Sequence, residues 1–151
     1  MRVLGLDVGD VRIGVALSDP TGSIASPLTT IRVTGRDRGI PDIAALVHEH
    51  QVEVIVVGLP ISLNGSLGPQ AQKVKEFCGA LASQVKASVE TWDERLSTVS
   101  ADRMMRDAGV KRGRRRELRD SMAATVVLQS YLDNRRSASD NGSLSSSNSN
   151  S

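Results

Sequence analysis

Val54-Ile55-Val56-Val57 is the stretch that most restricts how this chain can fold. A run that is apolar on both of its alternating sides has to be covered on both faces. It therefore reads as the central strand of a partly parallel, layered sheet. Before it, Ile40, Ile43, Ala44 and Val47 fall on one helical face, as a helix leading into that strand requires. Further upstream the pattern is different. An apolar strand, Val3-Leu4-Gly5-Leu6-Asp7, a turn at Gly9 and Asp10, and an alternating stretch from Arg12 to Ser18 read as a hairpin. Asp19-Pro20-Thr21-Gly22 marks a second turn. A third strand is expected around 24–33, where Pro27 suits it to a sheet edge.

Beyond the central strand, residues 59–68 form a loop of turn residues, a candidate for substrate contact. Ala71, Val74, Cys78, Leu81 and Val85 then trace a second amphipathic helix, and positions 89–94 alternate as a fifth strand. Ala101, Met104, Met105 and Ala108 predict a third helix stopped by Gly109, and Ala124, Val127, Leu128 and Tyr131 a last one. Three antiparallel strands followed by right-handed crossovers give an α/β fold. It is a mixed five-stranded sheet with helices on both faces, the layout of an RNase H-like domain. A chain of 151 residues has room for one such domain, placed at residues 1–135. Residues 136–151 are rich in serine and asparagine without periodicity, and are expected to be a disordered tail.

No apolar run approaches the length of a membrane span. The chain enters a strand at once with no apolar leader, so a cytoplasmic protein without membrane partners is expected. Cys78 is the one cysteine, which excludes an internal disulfide and a cysteine-rich zinc site. Its helical spacing from Val74 and Leu81 makes it a core residue. Net charge is only +2, yet Lys111, Arg112, Arg114, Arg115, Arg116 and Arg119 crowd together, opposed only by Glu117. Such a run can serve solubility alone, but a polyanion relieves its self-repulsion, and nucleic acid is the expected partner. Phe77, Trp92 and Tyr131 are the only aromatics, which favours contacts to backbone and shape over base stacking.

Asp7 sits where aspartate is disfavoured, in an apolar strand, next to two glycines spaced to let the backbone turn tightly. A buried carboxylate is costly unless a cation or donors compensate it. A turn aspartate, a metal ligand and part of a phosphate-binding hairpin are all open readings there. Asp93 and Glu94 end the fifth strand, and Asp120 opens the last helix on the stripe of Ala124, Val127 and Tyr131 that faces the sheet. Asp120 also suits a helix cap, and Asp93-Glu94-Arg95 an ordinary strand-end charge cluster. In the proposed sheet order the ends of strands one and five and the start of the last helix share one edge. Carboxylates converging there repel one another unless cations lie between them, and oxygen-only ligands suit Mg²⁺ or Mn²⁺. A pair of such ions activates water and stabilises the leaving oxygen of a phosphodiester, with the basic segment holding the polyanion over the site.

Four stretches, Gly5-Leu6-Asp7-Val8-Gly9-Asp10-Val11-Arg12-Ile13-Gly14-Val15-Ala16, Val57-Gly58-Leu59-Pro60, Asp93-Glu94-Arg95-Leu96-Ser97-Thr98 and Asp120-Ser121-Met122-Ala123-Ala124, together resemble the YqgF (RuvX-like) family. That family comprises pre-16S rRNA processing nucleases, once described as Holliday-junction-resolvase-like. The resemblance spans residues 1–134 and implies an RNase H-like fold with metal-dependent hydrolysis of nucleic acid at an acidic cluster. It makes Asp7 the first metal ligand and Asp120 the last. The Asp93-Glu94 pair supplies the middle carboxylate, with Glu94 favoured by the family motif. A one-residue change of register exchanges the two.

Three classes of function compete. The first is a metal-dependent endonuclease acting in 5′ processing of pre-16S rRNA during ribosome biogenesis, with a resolvase of branched DNA as the rival within the class. Two symmetric cuts in a four-way junction call for a homodimer, whereas trimming RNA can be done by a monomer. The second, suggested by the Asp7-x-Gly9 hairpin and Gly14, is a fragment of a sugar-kinase or actin-like ATPase, which would need a second domain. The third is a non-catalytic nucleic-acid-binding module, for which three acidic positions beside an anionic ligand have no purpose.

Overall fold

The computed structural model describes residues 1–96 and 119–136. The helix expected around 101–108, the basic residues Lys111, Arg112, Arg114, Arg115 and Arg116, and the tail beyond 136 lie outside them. In chain order the elements are β1 Arg2–Val8, β2 Arg12–Ser18, β3 Ala25–Arg32, α1 Ile40–His50, β4 Val52–Leu59, α2 Pro69–Ala82 and β5 Ser88–Asp93. A 3₁₀ turn at Glu94–Leu96 follows β5, and a helix over 119–136, α3, follows among the described residues.

The sheet order is β3-β2-β1-β4-β5. β1 and β3 flank β2 antiparallel, and β4 lies parallel to both β1 and β5. The apolar run in β4 is thus interior to the sheet, and Ile55, Val56 and Val57 are fully buried. Pro27 lies in the edge strand β3, opposite Ala16. The register slips there, since Val15 pairs with Thr29 and Ala16 with Pro27, leaving Leu28 unmatched. A bulge on an edge accommodates a residue that has no N–H to donate.

Strand periodicity divides the core into two layers. Leu4, Leu6, Ile13, Val15, Ile55 and Val57 pack under α1 and α2 against Ile43, Val74, Phe77 and Leu81. Val3, Ala16 and Val56 face the other way, against Ala124, Val127, Leu128 and Leu132 of α3. Cys78 packs against the first layer, and burial pushes its thiol up to about 11, so it stays protonated and inert. Among the described residues no helix is long and apolar enough to cross a membrane.

α3 approaches the sheet through glycines. A Cβ on Gly5 of β1 would stand 2.7 Å from the Leu128 Cβ, and one on Gly14 of β2 only 1.8 Å from the Asp120 carbonyl oxygen. A Cβ on Gly58 of β4 would stand 3.1 Å from Val127 Cγ2. Gly9 does close the hairpin, its N–H donating to the Arg12 carbonyl at 2.9 Å, whereas Gly5 lies within β1 and makes room for a helix. The far half of α3 is tied to both sides of the sheet. Trp92 Nε1 donates to Ser130 Oγ (3.1 Å) and Tyr131 Oη to Glu90 (2.8 Å), while the Ala25 N–H donates to Gln129 Oε1 at 2.9 Å.

Candidate active site

In β1 and β4, Leu6 pairs with Val57, so Asp7 and Gly58 are the next residues on adjacent parallel strands. Asp7 is also directly opposite Gly14 on β2, the glycine against which the start of α3 rests. Its carboxylate therefore emerges on the α3 face of the sheet, partly buried. Glu94 begins the 3₁₀ turn after β5 and folds back over β4, with its Oε1 only 2.8 Å from where a Cβ on Gly58 would stand. A side chain at 58 would displace it.

Asp7 and Glu94 are joined by a side-chain hydrogen bond. Burial, and next the negative charge of Asp120, push the Asp7 carboxyl above its usual range, while the hydrogen bond from Glu94 opposes them. Burial and the Asp7 charge raise Glu94 to about 7. With two acids in one partly desolvated site, both carboxyls are raised and the two titrate as a pair. Asp120, second residue of α3, is the third carboxylate near this pair and forms an ion pair with Arg12 (Nε–Oδ2, 3.3 Å).

The other predicted residues fall elsewhere. Asp93 is turned to Arg95, accepting from its backbone N–H (2.9 Å) and from Nη2 (2.7 Å), and this pairing holds its carboxyl below the ordinary range. Arg95 also donates to the Ser62 carbonyl at 3.3 Å, tying the 59–68 loop to the end of β5. Arg119, exposed, is the first residue of α3 and the one member of the basic run within the described residues. Arg12, the partner of Asp120, was not among the residues singled out from sequence, although the Arg12-Ile13-Gly14 stretch lay inside the first motif.

Among the described residues no three His, Cys, Asp or Glu side chains are grouped closely enough to hold a metal ion. The chemistry of the donors nevertheless suits a hard divalent cation. Two partly buried carboxyl groups lie in contact with a third carboxylate close by, and all the oxygens are of the type that Mg²⁺ or Mn²⁺ prefers.

A mixed sheet in the order β3-β2-β1-β4-β5, with helices on both faces and carboxylates at the ends of β1 and β5, defines an RNase H-like nuclease, a hydrolase acting on nucleic acid. The RuvX family, described as Holliday junction resolvase, matches residues 1–134, and the chain belongs to it. A Clostridium kluyveri protein named "Putative pre-16S rRNA nuclease" is 49% identical over 133 residues, covering 88% of this chain and 97% of its own length. A Clostridium novyi protein of the same name is 48% identical over 133 residues, covering 88% and 98%. The solved structure of Thermus thermophilus RuvC in complex with Holliday junction substrate superposes with a TM-score of 0.57 at 16% identity, over 88% of this chain and 96% of that one. The fowlpox virus Holliday junction resolvase gives 0.53 at 11% identity, over 89% and 99%. At these identities the structural likeness is one of fold.

Proposed function

We propose that the chain is a cytoplasmic, metal-dependent endonuclease that hydrolyses phosphodiester bonds in the 5′ processing of pre-16S rRNA. The observation that carries this reading is the contact of the Asp7 and Glu94 carboxyl groups beside Asp120, an arrangement that a divalent cation would relieve. Asp7 and Glu94 would hold the ion, Mg²⁺ or Mn²⁺, with Asp120 as a further ligand. When bound, it supplies Lewis acidity to the phosphodiester and lowers the pKa of the attacking water. The protein's own groups do the rest. Gly58 leaves space for Glu94 to lie beside Asp7. Asp93, engaged by Arg95, fixes the turn from which Glu94 projects and is a positioning residue. Arg119, together with Lys111, Arg112, Arg114, Arg115 and Arg116, would contact the nucleic acid backbone.

Ribosomal RNA is favoured over branched DNA because the relatives at 48–49% identity carry the rRNA-nuclease name. The family description, Holliday junction resolvase, supports the second reading, a junction-cutting homodimer. The test is cleavage of extended small-subunit rRNA and of a four-way DNA junction with Mg²⁺ or Mn²⁺, comparing the wild type with Asp7→Asn. RNA cutting that is lost with Asp7→Asn and with EDTA supports the first reading. Binding of both substrates without metal-dependent cutting of either would overturn it and leave a binding module.

A further inference from the structure

Two arginines face each other across the β2–β3 ladder on the same side of the sheet as the carboxylates. Arg12 is the direct partner of Arg32. Their neighbours Ile13 and Ile31 belong to the core under α1 and α2, so strand alternation sends both arginines to the α3 face. For Arg12 the ion pair with Asp120 bears this out. One row inward on the same face, Asp7 is opposite Gly14, and Gly14 is opposite Thr30. The arginine row is two residues further along the strands, which is about 7 Å from the Asp7 row.

Like charges directly opposite on a sheet destabilise it. Arg12 divides its charge with Asp120, while its side chain remains 65% exposed. Arg32 is exposed and has no hydrogen bond or ion pair among the described residues. Two arginines rooted at cross-strand partner positions, with at least one lacking an anion among the described residues, are suited to the non-bridging oxygens of a phosphodiester. We infer that Arg12 and Arg32 together form a phosphate-binding site that seats the substrate backbone one step away from the acidic pair, resting on the nuclease reading above. The ligand is a phosphodiester of a polynucleotide, from an RNA strand or an arm of branched DNA. The contact is a backbone one, so it positions the strand without reading its sequence.

Arg32→Gln isolates the inference, because Arg12 also holds Asp120. The full chain in EDTA is titrated into a labelled single-stranded RNA oligonucleotide and a labelled four-way DNA junction, from 50 to 200 mM salt, and its melting is followed in parallel. Arg32→Gln is expected to weaken binding about tenfold at the lower salt. It should also make the slope of log affinity against log salt shallower by about 0.7 on RNA or 0.9 on DNA. Melting should stay level or rise, because a like-charge pair has been removed. Arg32→Lys should recover the salt slope, and Lys75→Gln, an exposed cation on α2, should change nothing. The probe whose slope changes identifies the source of the phosphate. Unchanged affinity and slope in Arg32→Gln, with the wild type binding normally, would overturn the site and leave the nuclease reading standing. Failure of the wild type to bind either probe would overturn the nuclease reading itself, and this inference with it.

Discussion

Glu94→Gln should make the metal-free protein more stable at pH 8 while abolishing turnover. In the folded state Glu94 is raised from its ordinary 4.5 to about 7. Below pH 4.5 the group is protonated whether the chain is folded or not, and it then costs the fold nothing. Between pH 4.5 and about 7 the unfolded chain releases this proton while the folded protein keeps it, so stability falls across that window. It levels off once the folded protein too holds the second negative charge beside Asp7. At about 1.4 kcal/mol per pH unit the full cost would be about 3 kcal/mol. The side chain is partly open to solvent, and screening reduces this to about 1.5 kcal/mol. Glutamine keeps an N–H to donate to Asp7 and carries no charge. Urea titrations in EDTA should therefore place Glu94→Gln about 1.5 kcal/mol above the wild type at pH 8, with a melting point about 3–6 °C higher. At pH 4.5 the difference should shrink towards zero. Equal stability at pH 8, or a gain that persists undiminished at pH 4.5, would refute the idea that burial and the Asp7 charge strain this acid.

Three further expectations are testable, the first of them on the same proton. Mn²⁺ or Mg²⁺ binding at pH 6 should expel about one proton and tighten as pH rises through 7. Titration calorimetry in two buffers of different ionisation heat measures this, and buffer-independent heats would refute it. Asp19 accepts from the N–H groups of Ser23 and Ile24, each at 2.8 Å, and from the Thr21 hydroxyl, which holds its carboxyl far below the usual range. Asp19→Ala should therefore lower the melting point at pH 7, and the gap to wild type should close as pH falls well below 3.8, where the wild-type carboxylate too becomes protonated. Leu128→Ala, at a fully buried position under β1, should cost about 2–4 kcal/mol in chemical denaturation. Turnover per folded molecule should stay within a few-fold of wild type in an assay run below the melting point.

The strands were legible because their signals are local. The apolar run 54–57 fixed β4 as a sheet interior, and Pro27 marked β3 as an edge. Asp7 announced itself as a carboxylate in the wrong place. Glu94 was harder, because alternation along β5 ends at Asp93 and the chain turns at once into a 3₁₀ segment. Which of the two acids faces Asp7 is decided by that turn and by the capture of Asp93 by Arg95. The roles of Gly5, Gly14 and Gly58 were not legible at all. A lone glycine in a strand warns of a close approach, but what approaches Gly5, Gly14 and Gly58 are residue 128, residue 120, and residues 94 and 127, all far along the chain. The Arg12–Arg32 opposition likewise depends on a bulge that offsets the register elsewhere in β3.

The glycine seat of α3 separates two properties that usually vary together. Most layers in proteins are spaced by interdigitating side chains, which relax when one is trimmed, so a core mutation shifts a site as well as weakening the fold. Here the distance between the sheet bearing Asp7 and the helix bearing Asp120 is set by main chain resting on main chain at Gly14, directly opposite Asp7 on the neighbouring strand. Peptide groups in contact do not compress. Errors in the apolar half of α3 are therefore absorbed as lost stability, and the spacing of the acids is passed on unchanged. The spacing of Asp7 and Asp120 is governed by one missing methyl group, at Gly14, and drift elsewhere in the core leaves it intact.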